Sequence, residues 1–160
     1  MRIDDRLLHG QVVVAWGRAL SPQRYLVADD DVAASAFERA LLVQSAADVP
    51  VEVATVEAGA AWAAGEATRE GAAVVLVRSA PAARDLVRRA RSLGAAIDAV
   101  NLGGLHYAPG KEKALDYVYL DDADRAALAD LAALGVRVYA QDVPAASPVE
   151  MPEAWTRRNP

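Results

Sequence analysis

No cysteine occurs among the 160 residues. This excludes a disulfide framework, a thiol nucleophile and every thiolate metal site, and it fits a reducing compartment, of which the cytosol is the simplest reading. Aromatic side chains make up only 6% of the chain, so large ligand-stacking surfaces are not expected. Basic residues are outnumbered: the formal charge is −5 and the isoelectric point is near 5.0. A nucleic-acid binder needs a concentrated positive surface to displace counterions from phosphates, so that class is set aside. No run approaches the roughly 20 apolar residues of a membrane span, and the N-terminus opens on charges, not on a signal-peptide core. The expectation is a soluble, non-exported protein with no direct membrane insertion, any membrane contact coming through a partner. No glycine-rich phosphate or dinucleotide fingerprint follows the first apolar segment, which leaves a generic nucleotide-binding domain without support.

What is present is a chain that can bury a full core: 54% of it is hydrophobic, much of that alanine and valine, and its length suits one domain spanning 1–160. Short β-branched runs at 25–28, 51–54, 73–77, 97–100, 117–119 and 136–139 read as strands. Between most of them lie segments with helical spacing, carried by Val12, Trp16 and Leu20, by Phe37 and Leu41, by Leu86, Val87 and Leu93, and by Leu128, Leu131 and Leu134. That alternation predicts an α/β fold: an open, mainly parallel sheet of about seven strands with helices on both faces and an active-site loop after the first strand. The continuous apolar run 73–77 belongs to a central strand covered on both sides. Gly94 and Gly135 fall where left-handed residues close helices, and Asp121 with Asp124 reads as an N-terminal cap. Residues 102–113, with two glycines and Pro109-Gly110, read as a loop of functional length. Residues 144–160 hold four of the eight prolines and read as a short docked segment around Met151 and Trp155 with a frayed end. The arginines at 84, 88 and 91 share one helical face and read as a solvated outer surface.

Two histidines, His9 and His106, bound the available imidazole chemistry. His9 follows the polar stretch Arg2, Asp4, Asp5 and Arg6 and precedes Gly10 and a helix over about 11–20. At that junction a phosphoryl group on the ring would meet the first helical N–H groups, and Arg6 would add a charge-assisted contact, with Asp4 or Asp5 orienting the ring or the arginine. Spacing alone does not separate this from an ordinary surface or capping histidine. Asn101, Gly103 and Gly104 are expected at the same carboxyl edge, as a donor loop, a docking rim or a plain turn. His106 is either a second site residue or an ordinary loop residue. The consecutive carboxylates Asp29, Asp30 and Asp31 point in different directions and include a helix cap, so no metal site and no cofactor are expected.

The run Arg2-Ile3-Asp4-Asp5-Arg6-Leu7-Leu8-His9-Gly10-Gln11 resembles the signature of the IIB components of the mannose/fructose/sorbose family of the phosphoenolpyruvate:sugar phosphotransferase system. The resemblance continues in Leu26-Val27-Ala28-Asp29-Asp30 and in Val100-Asn101-Leu102-Gly103-Gly104, and so covers essentially the whole chain. It implies a cytoplasmic phosphohistidine carrier that accepts phosphate from a histidine of the IIA component. The carrier passes that phosphate to a sugar held by the membrane components IIC and IID, with which it associates peripherally. His9 then occupies the acceptor position, with Nδ1 as the accepting atom. Arg6 corresponds to an arginine implicated in phosphotransfer, and Arg2, Asp4, Asp5, Gly10 and Gln11 hold further signature positions. A regulatory phosphoprotein with the same histidine chemistry but no coupling to transport stays open, as does homo-oligomerisation. The family's first strand is longer than the one here, which is reduced to about residues 1–4. This either loosens the site or reflects a start assigned downstream of the real one.

Overall fold

The computed structural model describes residues 1–46, 48–66 and 70–156. Its centre is a seven-stranded sheet in the order β3-β2-β4-β1-β5-β8-β9. The strands are β1 (Arg2–Asp4), β2 (Arg24–Ala28), β3 (Val51–Ala54), β4 (Ala73–Val77), β5 (Ala99–Gly104), β8 (Arg137–Ala140) and β9 (Val149–Glu150). All neighbours pair in parallel except β9, which runs antiparallel to β8. A separate hairpin joins β6 (Glu112–Leu115) to β7 (Val118–Leu120).

Period-two alternation divides the sheet into two faces. Ile3, Leu26, Val75, Val77, Val100, Leu102 and Val138 point into one buried cluster. That cluster is closed by α4 (Val56–Glu66), α5 (Ala80–Ser92) and α6 (Asp122–Ala133). Tyr25, Val27, Val74 and Leu76 point the other way, onto Val12, Val32 and Ala46 from the helical segment after β1 and from α2 (Asp30–Ala34) and α3 (Ala36–Ser45). On this second face the half of the sheet formed by β1 and β5 is polar, because Arg2, Asp4 and Asn101 lie opposite the apolar Ile3, Val100 and Leu102. The helices thus cover both faces as expected, and β1 is the middle strand, between β4 and β5. The chain winds to one side of β1 through β2, β3 and β4 and to the other through β5 and β8. This puts a topological switch point at the carboxyl end of β1, where such sheets bind ligands.

Several expectations need correction. Residues 101–104 are not a loop: β5 begins later than the predicted strand and runs through Gly104, so the predicted 102–113 loop shrinks to the turn before β6. Helix α4 has no counterpart in the predicted helices, because its alanine- and glycine-rich sequence lacks the large apolar side chains that mark a helical period. The helix over 11–20 begins as a π-helical turn, Gln11–Trp16, before α1 (Gly17–Leu20). The arginine face of α5 is not merely solvated. Arg84 and Arg88 pair with Asp130 of α6, and Arg91 donates to the carbonyls of Leu134 and Ile97.

The punctuation is as read. Gly94 and Gly135 have positive φ. Asp121 and Asp124 form a reciprocal capping box on α6, and Asp29 caps α2 by accepting from Val32 N–H. Trp155 is buried in the first cluster, and the Ala154 carbonyl accepts from Arg125, so the C-terminal segment is docked as far as it is described. The tail expected to fray, residues 157–160, lies outside the described residues.

Candidate functional site

The site is built upward from β1. Asp4 is the last residue of that strand, points to the polar face, and is fully buried. A buried carboxylate must be satisfied on both oxygens, and here it is. Its Oδ2 accepts from Arg2 at 3.0 Å and lies 3.1 Å from His9 Nε2. Its Oδ1 accepts from the Arg6 backbone N–H at 3.2 Å and lies 3.5 Å from the Arg6 guanidinium. A carboxylate only accepts, so the facing His9 nitrogen carries a proton, and in the neutral ring the lone pair then lies on Nδ1.

The loop between Asp4 and His9 is held by its own hydrophobic residues. Leu7 N–H closes a turn onto the Asp4 carbonyl, and Leu7 and Leu8 are both buried. Leu7 sits at φ 56°, a left-handed conformation that a branched side chain adopts at a cost of about 1 kcal/mol or more and that accumulates at functional sites. With both leucines turned inward, Arg6 remains 47% exposed and His9 19% exposed. Arg6 also donates to Gln11 Oε1 at 3.0 Å, joining the loop to the start of the π-helical turn. No side chain caps that helix start at Gly10, so its first N–H groups remain available beside His9.

Arg2 lies below this surface, not on it. It is 4% exposed, and its guanidinium donates to Asn101 Oδ1, to Asp4 and to the carbonyls of Gln141 and Asp142, while the Trp16 ring stacks over it at 5.2 Å. Burial pushes its pKa down from the usual arginine range, and the Asp4 carboxylate opposes that shift. Asn101 is likewise buried and donates to the Gln141 carbonyl. Gly103 is where the Arg2 guanidinium crosses the sheet: a Cβ there would stand 1.9 Å from Arg2 Cζ. The predicted residues therefore sort into a surface set, His9, Arg6, Gly10 and Gln11, and a supporting set, Arg2, Asp4, Asn101 and Gly103. Gly104 contributes its carbonyl to the Asp5 N–H and not a donor to the surface.

Asp5 fastens the loop to β5. Its Oδ2 accepts from the His106 N–H at 2.6 Å, and its Oδ1 lies 2.7 Å from His106 Nδ1. Arg78, just past β4, reaches the Asp5 carbonyl and pairs with Asp29. Burial raises the Asp29 pKa, but the bonds from Arg78 and the Val32 N–H outweigh it and hold the carboxyl below its ordinary range. The bond to Asp29 in turn raises the pKa of Arg78. Sequence reasoning missed Arg78, Trp16 and the 141–142 carbonyls. A charged residue directly after a buried parallel strand was the available signal for Arg78. Among the described residues no cluster of histidine and carboxylate side chains could hold a metal ion.

Comparison with known proteins extends over the same residues. The family model "PTS system sorbose subfamily IIB component" matches residues 1–159. The chain is 33% identical over 138 residues to the sorbose-specific EIIB component of Klebsiella pneumoniae, covering 86% of this chain and 82% of that one. It is 32% identical over 151 residues to the N-acetylgalactosamine-specific phosphotransferase enzyme IIB component 2 of Escherichia coli strain K12, covering 94% and 93%. The crystal structure of the IIB domain of the Klebsiella pneumoniae sorbose permease superposes with a TM-score of 0.83 at 31% identity, covering 93% of this chain and 90% of that one.

Proposed function

The chain belongs to the sorbose subfamily of phosphotransferase-system IIB components, and from that premise we propose that it carries a phosphoryl group on Nδ1 of His9 between a IIA component and a sugar bound by IIC and IID. The observation that carries this reading is the bond between His9 Nε2 and the fully buried Asp4. It supports the neutral tautomer whose lone pair is on Nδ1, the atom this reading makes the nucleophile. As Nδ1 forms its bond to phosphorus the ring becomes cationic, and the carboxylate behind it stabilises that charge.

The transfer balances as follows. The P–N bond of the donor phosphoimidazolium breaks and its electron pair stays on the donor nitrogen, leaving a neutral imidazole. The lone pair of His9 Nδ1 forms the new P–N bond, and Nε2 keeps its proton toward Asp4. In the second step a sugar hydroxyl oxygen attacks phosphorus, the His9 P–N bond breaks, the ring returns to neutral imidazole and the hydroxyl proton is released. No bond is made to any other protein atom, so the work of the site is positioning and charge stabilisation. Arg6, half exposed and tethered by Gln11, supplies cationic donors, and the uncapped helix start supplies N–H groups. His9 lies at the carboxyl edge of the sheet, where two successive partners can reach it. Among the described residues no helix is long and apolar enough to cross a membrane.

Incubation with phosphoenolpyruvate, the general phosphotransfer proteins and a matching IIA component, followed by intact and peptide mass spectrometry, tests the reading. One phosphate is expected on His9 and none on a folded His9→Gln variant. Arg6→Ala is expected to slow the transfer about tenfold, the loss of one charge-assisted contact. A IIA component that becomes phosphorylated while His9 does not would overturn the assignment.

A further inference from the structure

His106 is the second imidazole of the chain, and the carrier function leaves it without a task. It sits just beyond β5 at the same sheet edge as His9, and its side chain is 50% exposed. Asp5 holds it at two points, the backbone N–H and ring Nδ1, at 2.6 and 2.7 Å. Because the carboxylate only accepts, Nδ1 carries a proton, and Nε2 is the ring nitrogen that Asp5 does not hold. The ring and the Asp4 carboxylate border the same residue of β5. A methyl group built on Gly104 would lie 3.5 Å from His106 Cε1 and 3.6 Å from Asp4 Oδ1, so the two side chains flank one side of the same glycine. The same Asp4 oxygen is the one that Arg6 approaches, while His9 takes the other.

We propose that His106 is a second donor arm of the phosphoryl cradle: with Nδ1 held by Asp5, its Nε2–H, present only in the imidazolium form, binds an oxygen of the phosphoryl group on His9 together with Arg6. The inference rests on the phosphocarrier reading. In the transfer step His106 neither gains nor loses a proton and makes no covalent bond. The charged groups around it are Asp5 from the loop after β1, Asp4 behind Gly104, Arg6 on the Asp4 oxygen, and Arg78 on the Asp5 carbonyl. On the far side of the turn Lys111 is held by Asp124 and Asp121, and Tyr107 packs edge-on against Tyr119. A dianion on His9 would attract the cationic form of the ring. Phosphorylation and protonation of His106 are therefore linked, each strengthening the other. A residue that only stapled the loop would add no pH step of its own to the transfer rate.

The experiment titrates the His106 ring by two-dimensional NMR in the free protein and in protein phosphorylated through phosphoenolpyruvate, the general proteins and IIA. Phosphate on His9 is expected to move the His106 titration to higher pH, by on the order of one unit. Transfer onto His9 is followed in parallel across pH for wild type, His106→Ala and His106→Gln. The alanine variant is expected to lose about tenfold in rate together with the pH step that His106 contributes. The glutamine variant, whose amide offers a donor that does not titrate, is expected to recover most of the rate without the step. A phosphorylated His9 with an unmoved His106 titration overturns the inference, as does a His106→Ala variant with the wild-type rate and pH profile. Absence of phosphate from His9 altogether overturns the carrier reading instead.

Discussion

Gly103 and Gly104 are adjacent, both lie in β5, and neither is in the left-handed region, yet they answer to different constraints. A side chain on Gly103 would enter the Arg2 guanidinium, whereas one on Gly104 would meet its neighbours at ordinary contact distance. Gly103→Ala is therefore expected to cost about 2 kcal/mol, by overpacking the buried pair of Arg2 and Asp4, and to slow transfer at His9 by disturbing the carboxylate behind it. Gly104→Ala is expected to change stability by less than about 1 kcal/mol. Denaturant melts of the two variants, with phosphorylation rates, separate the cases. The glycines were visible as a pair in the sequence, but their difference was not. It depends on Arg2 crossing from β1 to bond groups 99 and 140 residues away. That His9, Arg6, Asp4 and Gln11 lie together was legible because the loop that unites them is contiguous in sequence.

At the scale of elements, the start of α2 shows how one residue serves both folding and the site. Asp29 caps the helix and holds Arg78, which in turn reaches the loop carrying Asp5. Its folded-state pKa is depressed, so the stability it supplies is present above the unfolded carboxylate value and is lost as pH falls through the lower folded value. Arg78 is 45% exposed, so the ion pair is screened and the cap is the larger part. Asp29→Ala is expected to destabilise by about 1–2 kcal/mol near neutrality, with the gap to wild type closing below about pH 4 in thermal melts. Caps and closing glycines could be read from sequence because they act locally. Helix α4 could not, since Val56–Glu66 has few large side chains with which to show a face. The extent of β5 was hidden by the two glycines at its end, which read as a turn until Asp5 pairs with the Gly104 carbonyl.

For the molecule as a whole, the parallel sheet followed from the alternation of short apolar runs with helical ones, and the run 73–77, read as a central strand, is β4, lying between β2 and β1. The last strand was not expected. β9 adds antiparallel to β8, and the chain then delivers Trp155 into the cluster beneath α5 and α6. Its two residues are exposed and show no apolar period, so nothing in 149–150 announces a strand. Trp155 is 5% exposed, and Trp155→Ala is expected to cost about 3 kcal/mol, read as a lowered denaturant midpoint. The same variant is expected to leave phosphorylation of His9 at its wild-type rate below the unfolding transition, because Trp155 packs on the face opposite Asp4.

The π-helical turn over Gln11–Trp16 holds one residue more than an α-helix would need to join the same two ends. Gln11 must meet Arg6 at one end, and Trp16 must lie over Arg2 at the other. Val14, 53% exposed, sits on the outer side of that turn. The insertion is thus a spare residue stored as slack. Deleting Val14 should draw the turn back into α-helical register with both contacts kept. Deleting a second residue there would swing one end by about 100° relative to the other and part either Gln11 from Arg6 or Trp16 from Arg2. A single deletion that melts normally and still accepts the phosphoryl group from IIA, beside a double deletion that does neither, would mark this helix as a coupling with adjustable length between the surface of the site and its foundation.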